Sequence, residues 1–218
     1  MILQKLKYVL LDLDGTVTDP MQSITSSAAY ALGKFGITEE DTDTLKKFIG
    51  PPLTESFKQF YGFDDEQAMQ GLRFYREHYS VHGLDGNVPY DGARELLAEL
   101  KQSGKVIILA TSKPIVYAEE ILRRNGLHGF FDFIAGNDLQ ESRPKKQQVL
   151  EYIIGHYPEI GSQNAVMVGD RMFDVIGAHD FGLECIGVLY GYGTQEELEQ
   201  CGADHIAKDI AELRELLL

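Results

Sequence analysis

The chain has 218 residues, 44% hydrophobic and 25% charged, close to the globular average, which excludes disordered, collagen-like and disulfide-scaffold classes. Asp and Glu number 34 against 20 Lys and Arg, a net charge of −14, which argues against nucleic-acid backbones or anionic membrane as partners. At roughly 150 residues per domain the length fits one large domain or a core with a smaller companion. The two cysteines, Cys185 and Cys201, form no CxxC pair, so a reducing compartment is the simpler reading. Apolar runs such as Val106 to Ala110 fall far short of the ~18 residues of a membrane span. No signal peptide is expected, because the run after Lys7 meets acids at Asp12 and Asp14. A cytoplasmic protein without membrane or nucleic-acid partners, monomeric or a small homo-oligomer, is the expectation.

In chain order, Tyr8 to Leu13 is a short apolar run of the kind that fills a strand buried on both faces. A long stretch follows, over residues 17–85, whose apolar residues recur at helical spacing: Ala28, Ala31, Leu32 and Phe35, then Leu45, Phe48 and Ile49, then Leu72, Tyr75 and Tyr79. Structureless loops of that length are rare, so the spacing predicts a small helical domain inserted after the first strand. The core comprises residues 1–16 and 86–218, with Gly83, Gly86 and Pro89 expected as flexible crossings that permit hinge motion. Next come a helical pattern at Ala93, Leu96, Leu97 and Leu100, and a strand at Val106 to Ala110. A strand at Phe133 to Ala135, a helix through Val149, Leu150, Ile153 and Ile154, and strands at Ala165 to Val168 and Cys185 to Val188 complete the series. Alternation of this kind predicts an α/β fold, a doubly wound parallel sheet with helices on both faces.

In such sheets ligands bind outside the carboxyl ends of the strands, and the oddest polar residues fall there. The first strand ends in Asp12-Leu13-Asp14-Gly15-Thr16, a later one in Thr111-Ser112-Lys113, and another runs into Gly169-Asp170-Arg171 with Asp174 close behind. A basic knot, Arg143, Lys145 and Lys146, precedes the helix at Gln147. Taken singly, an Asp after a strand is more often a cap or turn former, Thr111 an N-cap and Lys146 a solvated charge. Taken together, several carboxylates in one crevice repel by about 4 kcal/mol per pair at ~4 Å and an effective dielectric near 20. A cation relieves that cost, and hard oxygen donors suit Mg²⁺. A metal with open positions, a lysine and a hydroxyl form a phosphoryl site, where one carboxylate acts as nucleophile and another shuttles the leaving-group proton.

The four segments Asp12-Leu-Asp14-Gly15-Thr16, Ala110-Thr111-Ser112-Lys113, Arg143 to Lys146 and Gly169-Asp170-Arg171-Met-Phe-Asp174 resemble, in order and spacing, the motifs of the haloacid dehalogenase superfamily, in particular its phosphoglycolate phosphatase and 5′-nucleotidase-like hydrolases. The resemblance covers essentially the whole chain, and the insert looks like the family's cap domain. It implies that Asp12 attacks phosphorus while Asp14 protonates the leaving oxygen and later activates water. It further implies that Mg²⁺ is held by Asp12, the Asp14 carbonyl and Asp170, and the phosphoryl group by Thr111, Ser112 and a lysine, with Thr16, Arg143 and Asp174 in support. Many relatives carry Lys-Pro where this chain has Arg143-Pro144; an Arg three residues ahead selects Lys146, and Lys145 remains the rival. In capped relatives the cap covers the site and sets selectivity, which directs attention to Gly50 in the Ile49-Gly50-Pro51-Pro52-Leu53 turn and to Arg73 and Arg76.

His78 and His82 stand four apart but lack the Glu of a zincin and a third ligand. Gly191-Tyr192-Gly193 lacks the third glycine of a dinucleotide fingerprint, and Thr194 with Glu197 three residues on reads as a capping box. No G-x-S-x-G elbow occurs. The expectation is therefore a Mg²⁺-dependent phosphatase for a small phosphorylated metabolite, phosphoglycolate or a nucleoside monophosphate. The alternatives are a phosphotransferase such as a sugar-phosphate mutase, and a non-catalytic protein that binds a phosphorylated ligand.

Overall fold

In the computed structural model residues 3–218 are described. The strands are β1 (Tyr8–Leu11), β2 (Thr18–Asp19), β3 (Val88–Pro89), β4 (Val106–Pro114), β5 (Phe133–Asn137), β6 (Ala165–Gly169), β7 (Glu184–Val188) and β8 (His205–Ala207). The helices are α1 (Met21–Gly33), α2 (Thr42–Lys46), α3 (Leu53–Tyr61), α4 (Asp65–His78), α5 (Ala93–Gln102), α6 (Ile115–Arg124), α7 (Lys146–His156), α8 (Met172–Asp180), α9 (Gln195–Gln200) and α10 (Ile210–Leu217). The chain divides into two compact units, residues 1–19 with 89–218, and residues 20–88. Residues 17–19 stay with the first unit because Val17 and Thr18 donate to the Leu13 carbonyl, both at 2.9 Å, and Gly15 donates to that of Thr18 at 2.8 Å.

The first unit is built on a six-stranded sheet in the order β5-β4-β1-β6-β7-β8, parallel throughout. Every residue of β1 and of β6 is buried, the reason these strands read as unbroken apolar runs rather than as alternation. On one face Tyr8, Leu10, Ile108, Ala110, Ala165 and Met167 pack with Val149, Leu150 and Ile153 of α7 and Val175 and Ala178 of α8. Leu96, Leu97 and Leu100 of α5 are buried beside β4, and α10 packs on α5. The winding turns outward in both directions from β1, so the connection order reverses between β1 and β6. That is the switch point, where the loops at adjacent strand ends diverge and leave a crevice.

The regular elements of the second unit are helical apart from its last residue, Val88. Its core residues Ala28, Ala31, Leu32, Leu45, Phe48, Ile49, Leu72, Tyr75 and Tyr79 are all buried, at the spacing the sequence displays. Phe48 packs edge-on to Phe57 at 5.0 Å, and Phe57 stacks on Phe63 at 5.5 Å. The start of α4 is fixed by Asp64 and Gln67, whose side chains cap each other's backbone N–H at 2.8 and 3.1 Å. After α4 the chain forms one π turn over Tyr79–Gly83. Gly83 lies there against the Tyr79 ring, where a Cβ would stand 2.6 Å from its Cγ, so this glycine serves packing where a flexible crossing was expected. His78 accepts or donates one bond, to Ser27 Oγ at 3.0 Å, and its ring lies 4.9 Å from that of His82.

Several elements were not anticipated. Strand β4 runs on to Pro114 rather than ending at Ala110, with its register against β5 broken between those two residues. Strand β8, at three residues, is too short to carry a pattern, while α6 buries Ala118, Ile121 and Leu122 at a helical spacing that was open to reading. No helix among the described residues is long and apolar enough to cross a membrane.

Ile108 is fully buried in the central face of the sheet. Its replacement by Ala is expected to cost ~2–5 kcal/mol from lost transfer energy and an unfilled cavity. Ile176→Ala on α8, where the residue is 37% exposed, is expected to stay within about 1 kcal/mol. Urea unfolding of the two variants checks the contrast.

Candidate functional site

The polar residues gather at the carboxyl ends of β1, β4 and β6, with β1 and β6 forming the switch point. Asp12 follows β1 directly, and its N–H extends the ladder by one bond to the Val168 carbonyl at 3.0 Å. Its Oδ1 accepts from the N–H of Leu13 at 2.8 Å. The chain then turns tightly, since the N–H groups of Thr16, Val17 and Thr18 all converge on the Leu13 carbonyl. Gly15 is needed twice over in this turn: its φ is +82°, and a Cβ would collide with the Asp170 carboxylate.

Asp170 leaves β6 only 1% exposed. Its Oδ2 accepts from the Tyr192 N–H at 2.7 Å, whereas its Oδ1 is buried with no hydrogen-bond partner among the described residues. Asp174, also 1% exposed, sits in the first turn of α8, where unpaired helix N–H groups favour a carboxylate; the N–H of Arg171 donates to its Oδ2 at 3.2 Å. Asp12, Asp170 and Asp174 each bring an oxygen within 4.8 Å of the others.

Lys146 opens α7 and is buried. Its ammonium donates to the Ala110 carbonyl at 2.6 Å and lies 3.0 Å from Asp12 Oδ1 and 2.8 Å from Asp174 Oδ1. The stem reaches this position over Gly177, where a Cβ would stand 2.8 Å from the Lys146 Cγ. Burial alone would lower the lysine's pKa, but Asp12 and Asp174 outweigh it and hold the ammonium firmly charged. Asp12 moves the other way. Burial, reinforced by Asp174 and Asp14 against the opposing pull of Lys146, raises its pKa from 3.8 to about 6. Burial and the Asp174 charge also push Asp170 well above the usual carboxylate range. The one lysine therefore contacts two of the three carboxylates, and the cluster remains short of positive charge.

Thr111 is buried in β4, and its Oγ1 accepts from the N–H of Lys113 at 3.2 Å; Ser112 beside it is half-buried. The Lys113 ammonium pairs with the Asp14 carboxylate. Lys145 is the exposed N-cap residue of α7, so it is Lys146 that reaches the carboxylates. Arg143 braces the loop after β5: its Nε donates to the Gly136 carbonyl at 3.1 Å, its N–H to Asn137 Oδ1 at 2.9 Å, and its guanidinium lies over the Tyr152 ring. The buried Thr16 hydroxyl has no hydrogen-bond partner among the described residues, while its carbonyl accepts from the Tyr190 phenol at 3.0 Å. Gly50, Arg73 and Arg76 belong to the helical unit, Gly50 in an exposed turn at φ +106° and the two arginines on α4, the first exposed and the second half-buried.

Neither the partner of Lys113 nor the place of the Gly191-Tyr192-Gly193 stretch beside Asp170 follows from local sequence. The expected capping box at Thr194 forms only by half. Thr194 Oγ1 accepts from the Glu197 N–H at 3.1 Å, but the Glu197 carboxylate turns to Arg171 Nε and the Met172 N–H, each at 2.9 Å. It thereby supports the Asp170 loop, a tertiary role that no local spacing announces.

The profile of the haloacid dehalogenase-like hydrolases matches residues 9–188. A 5′-nucleotidase of Pseudomonas aeruginosa is 41% identical over 96% of this chain and 94% of its own length. The tyrosine-protein kinase PtkA of Mycobacterium tuberculosis is 36% identical over 97% of this chain and 72% of its own. Among solved structures, a predicted phosphatase from Clostridium acetobutylicum superposes with a TM-score of 0.92 at 43% identity, covering 96% of this chain and 97% of that one.

Removing the buried ammonium leaves Asp12 and Asp174 to face each other. Lys146→Met is expected to lose ~3–5 kcal/mol of stability near neutral pH. The loss should shrink towards about pH 5, where Asp12, already raised to about 6, takes up a proton. Denaturant titrations at the two pH values measure this.

Proposed function

The chain belongs to the haloacid dehalogenase-like hydrolase family, and from that premise we propose that it is a Mg²⁺-dependent phosphatase for a small phosphomonoester, a nucleoside monophosphate or phosphoglycolate, acting through an aspartyl phosphate on Asp12. The observation that carries the reading is the carboxylate trio of half-buried Asp12 and buried Asp170 and Asp174, undercompensated by Lys146, with one oxygen of Asp170 left unpartnered. Its donors are hard oxygens, the set that suits Mg²⁺, and a cation would satisfy the buried Asp170 oxygen that has no hydrogen-bond partner among the described residues. Asp12, Asp170 and the Asp14 carbonyl would hold the ion, with Asp174 beside them. The ion would supply charge neutralisation and orientation at the phosphoryl oxygens.

The residues then divide the chemistry. Asp12 Oδ1 is engaged by the Leu13 N–H and Lys146, which leaves Oδ2 to attack phosphorus. As that O–P bond forms and the bond to the leaving oxygen breaks, the Asp14 carboxyl gives its proton to the leaving oxygen. In the second half the Asp14 carboxylate takes a proton from a water whose oxygen bonds to phosphorus, and Asp12 is released. Lys113, paired with Asp14, holds the acid in place. Thr111 and Ser112 donate hydroxyls to the phosphoryl oxygens. The helical unit serves as the cap, with Gly50, Arg73 and Arg76 selecting the substrate.

The second reading is transfer of the same phosphoryl group to an acceptor hydroxyl other than water. The relative named a tyrosine-protein kinase favours it. Release of free phosphate without an added acceptor separates the two.

Phosphate release from a panel of monoesters is expected to require Mg²⁺ and to fall by roughly 10³-fold or more in Asp12→Asn; an unimpaired Asp12→Asn would remove that residue as nucleophile. A second expectation concerns stability. With its folded pKa raised from 3.8 to about 6, Asp12 favours the fold when protonated, so the metal-free protein loses stability as pH rises through that window. Millimolar Mg²⁺ should therefore raise the Tm more at about pH 7.5 than at about pH 5, and an equal gain at both values would contradict the ligand role of Asp12.

A further inference from the structure

The turn that carries Asp14 and the loop that carries Asp170 follow different strands, β1 and β6. They are held to each other by a third segment, Tyr190 to Gly193, which follows β7. The Tyr192 N–H donates to Asp170 Oδ2 at 2.7 Å, and the phenol of the same residue donates to Asp19 Oδ1 at the far end of the Asp14 turn. Two residues earlier, the Tyr190 phenol donates to the Thr16 carbonyl at 3.0 Å. The Tyr90 ring stands edge-on to Tyr190 at 5.0 Å, and its N–H donates to the Val17 carbonyl at 3.2 Å.

The glycines on either side of Tyr192 are there for close approach. A Cβ on Gly191 would overlap both Asp170 and the Gly15 carbonyl, and one on Gly193 would overlap the Asp170 carbonyl. Burial and the adjoining Asp19 raise the Tyr192 phenol above its ordinary range, so it stays protonated and able to donate at neutral pH.

We propose that Tyr192 is a positioning residue for the cation-binding carboxylate of Asp170: its N–H occupies one oxygen and leaves the other for the ion, while its phenol ties that strap to Asp19 and thereby to the turn bearing Asp14. The inference rests on the divalent-cation phosphatase reading given above. It accounts for why only one Asp170 oxygen is orphaned. It also gives a role to a Gly-Tyr-Gly stretch that lacks the third glycine of a dinucleotide fingerprint.

The test uses the full chain and Mn²⁺ as a paramagnetic probe, with binding followed by EPR in the absence of substrate. A hydrogen bond to a charged acceptor is worth ~1.5–3 kcal/mol, so Tyr192→Phe should weaken Mn²⁺ binding by roughly tenfold or more. The Mg²⁺ concentration for half-maximal phosphate release should rise by a similar factor, with the substrate KM at saturating Mg²⁺ nearly unchanged. Asp19→Ala should reproduce that loss, Asp19→Asn, which keeps an acceptor, should largely escape it, and the Tyr192→Phe/Asp19→Ala double variant should be no worse than either single. Wild-type Mn²⁺ affinity in Tyr192→Phe, or additive losses in the double variant, overturns the positioning role alone. Should Tyr192→Phe fail to fold, the Asp19→Ala and Asp19→Asn pair decides, and equal affinities in those two overturn it. A wild-type chain that binds no Mn²⁺ and releases no phosphate overturns the phosphatase reading and this inference together.

Discussion

Like charges crowded together at the strand ends are the constraint around which the first unit is organised. Asp12, Asp170 and Asp174 meet at the switch point with oxygens within 4.8 Å of one another. Each such pair carries a repulsion on the order of 3 kcal/mol at an effective dielectric near 20. The fold supplies one ammonium, from Lys146, placed between two of the three. The backbone N–H groups of Arg171 and Tyr192 each take one more carboxylate oxygen, and that of Leu13 shares Asp12 Oδ1 with the lysine. Burial, together with the repulsion these contacts leave over, raises the pKa values of Asp12 and Asp170. Part of the protein's stability is thus given up to keep these carboxylates together.

Close approach is the second theme. Lys146 reaches its carboxylates only because residue 177 has no side chain, and Asp170 fits beneath the Asp14 turn only because residue 15 has none. In both places a methyl group would occupy space already filled by the functional residue. Supporting groups lie further out in the chain. Glu197, from the start of α9, holds the Arg171 side chain and the Met172 N–H, and the tyrosines at 190 and 192 hold the turn. Such outer contacts hold the loop that carries Asp170 and Asp174 and the turn that carries Asp14.

Legibility differed by element for physical reasons. The strands Tyr8–Leu11 and Ala165–Gly169 were readable because a strand covered on both faces must be apolar along its length. The helical unit was readable because its buried residues keep the 3.6-residue period. The three-residue strand His205–Ala207 gave no pattern to detect. Lys146 and Lys145 were hard to separate in sequence, since a one-residue step on a helix changes direction by about 100° but leaves composition identical. Only the helix phase at the start of α7 turns one inward and the other to solvent.

Local patterning, then, determined the class of fold, the inserted helical segment, and the four polar segments at strand ends, because burial and periodicity are written along the chain. Tertiary structure decided what those segments do to one another. It set the strand order that brings β1 beside β6, the assignment of Lys146 to Asp12 and Asp174, the pairing of Lys113 with Asp14, and the recruitment of Glu197 and Tyr192 to a loop over twenty residues away in sequence. These are contacts between residues far apart in the chain, and no local propensity encodes a distance that only the closed sheet defines.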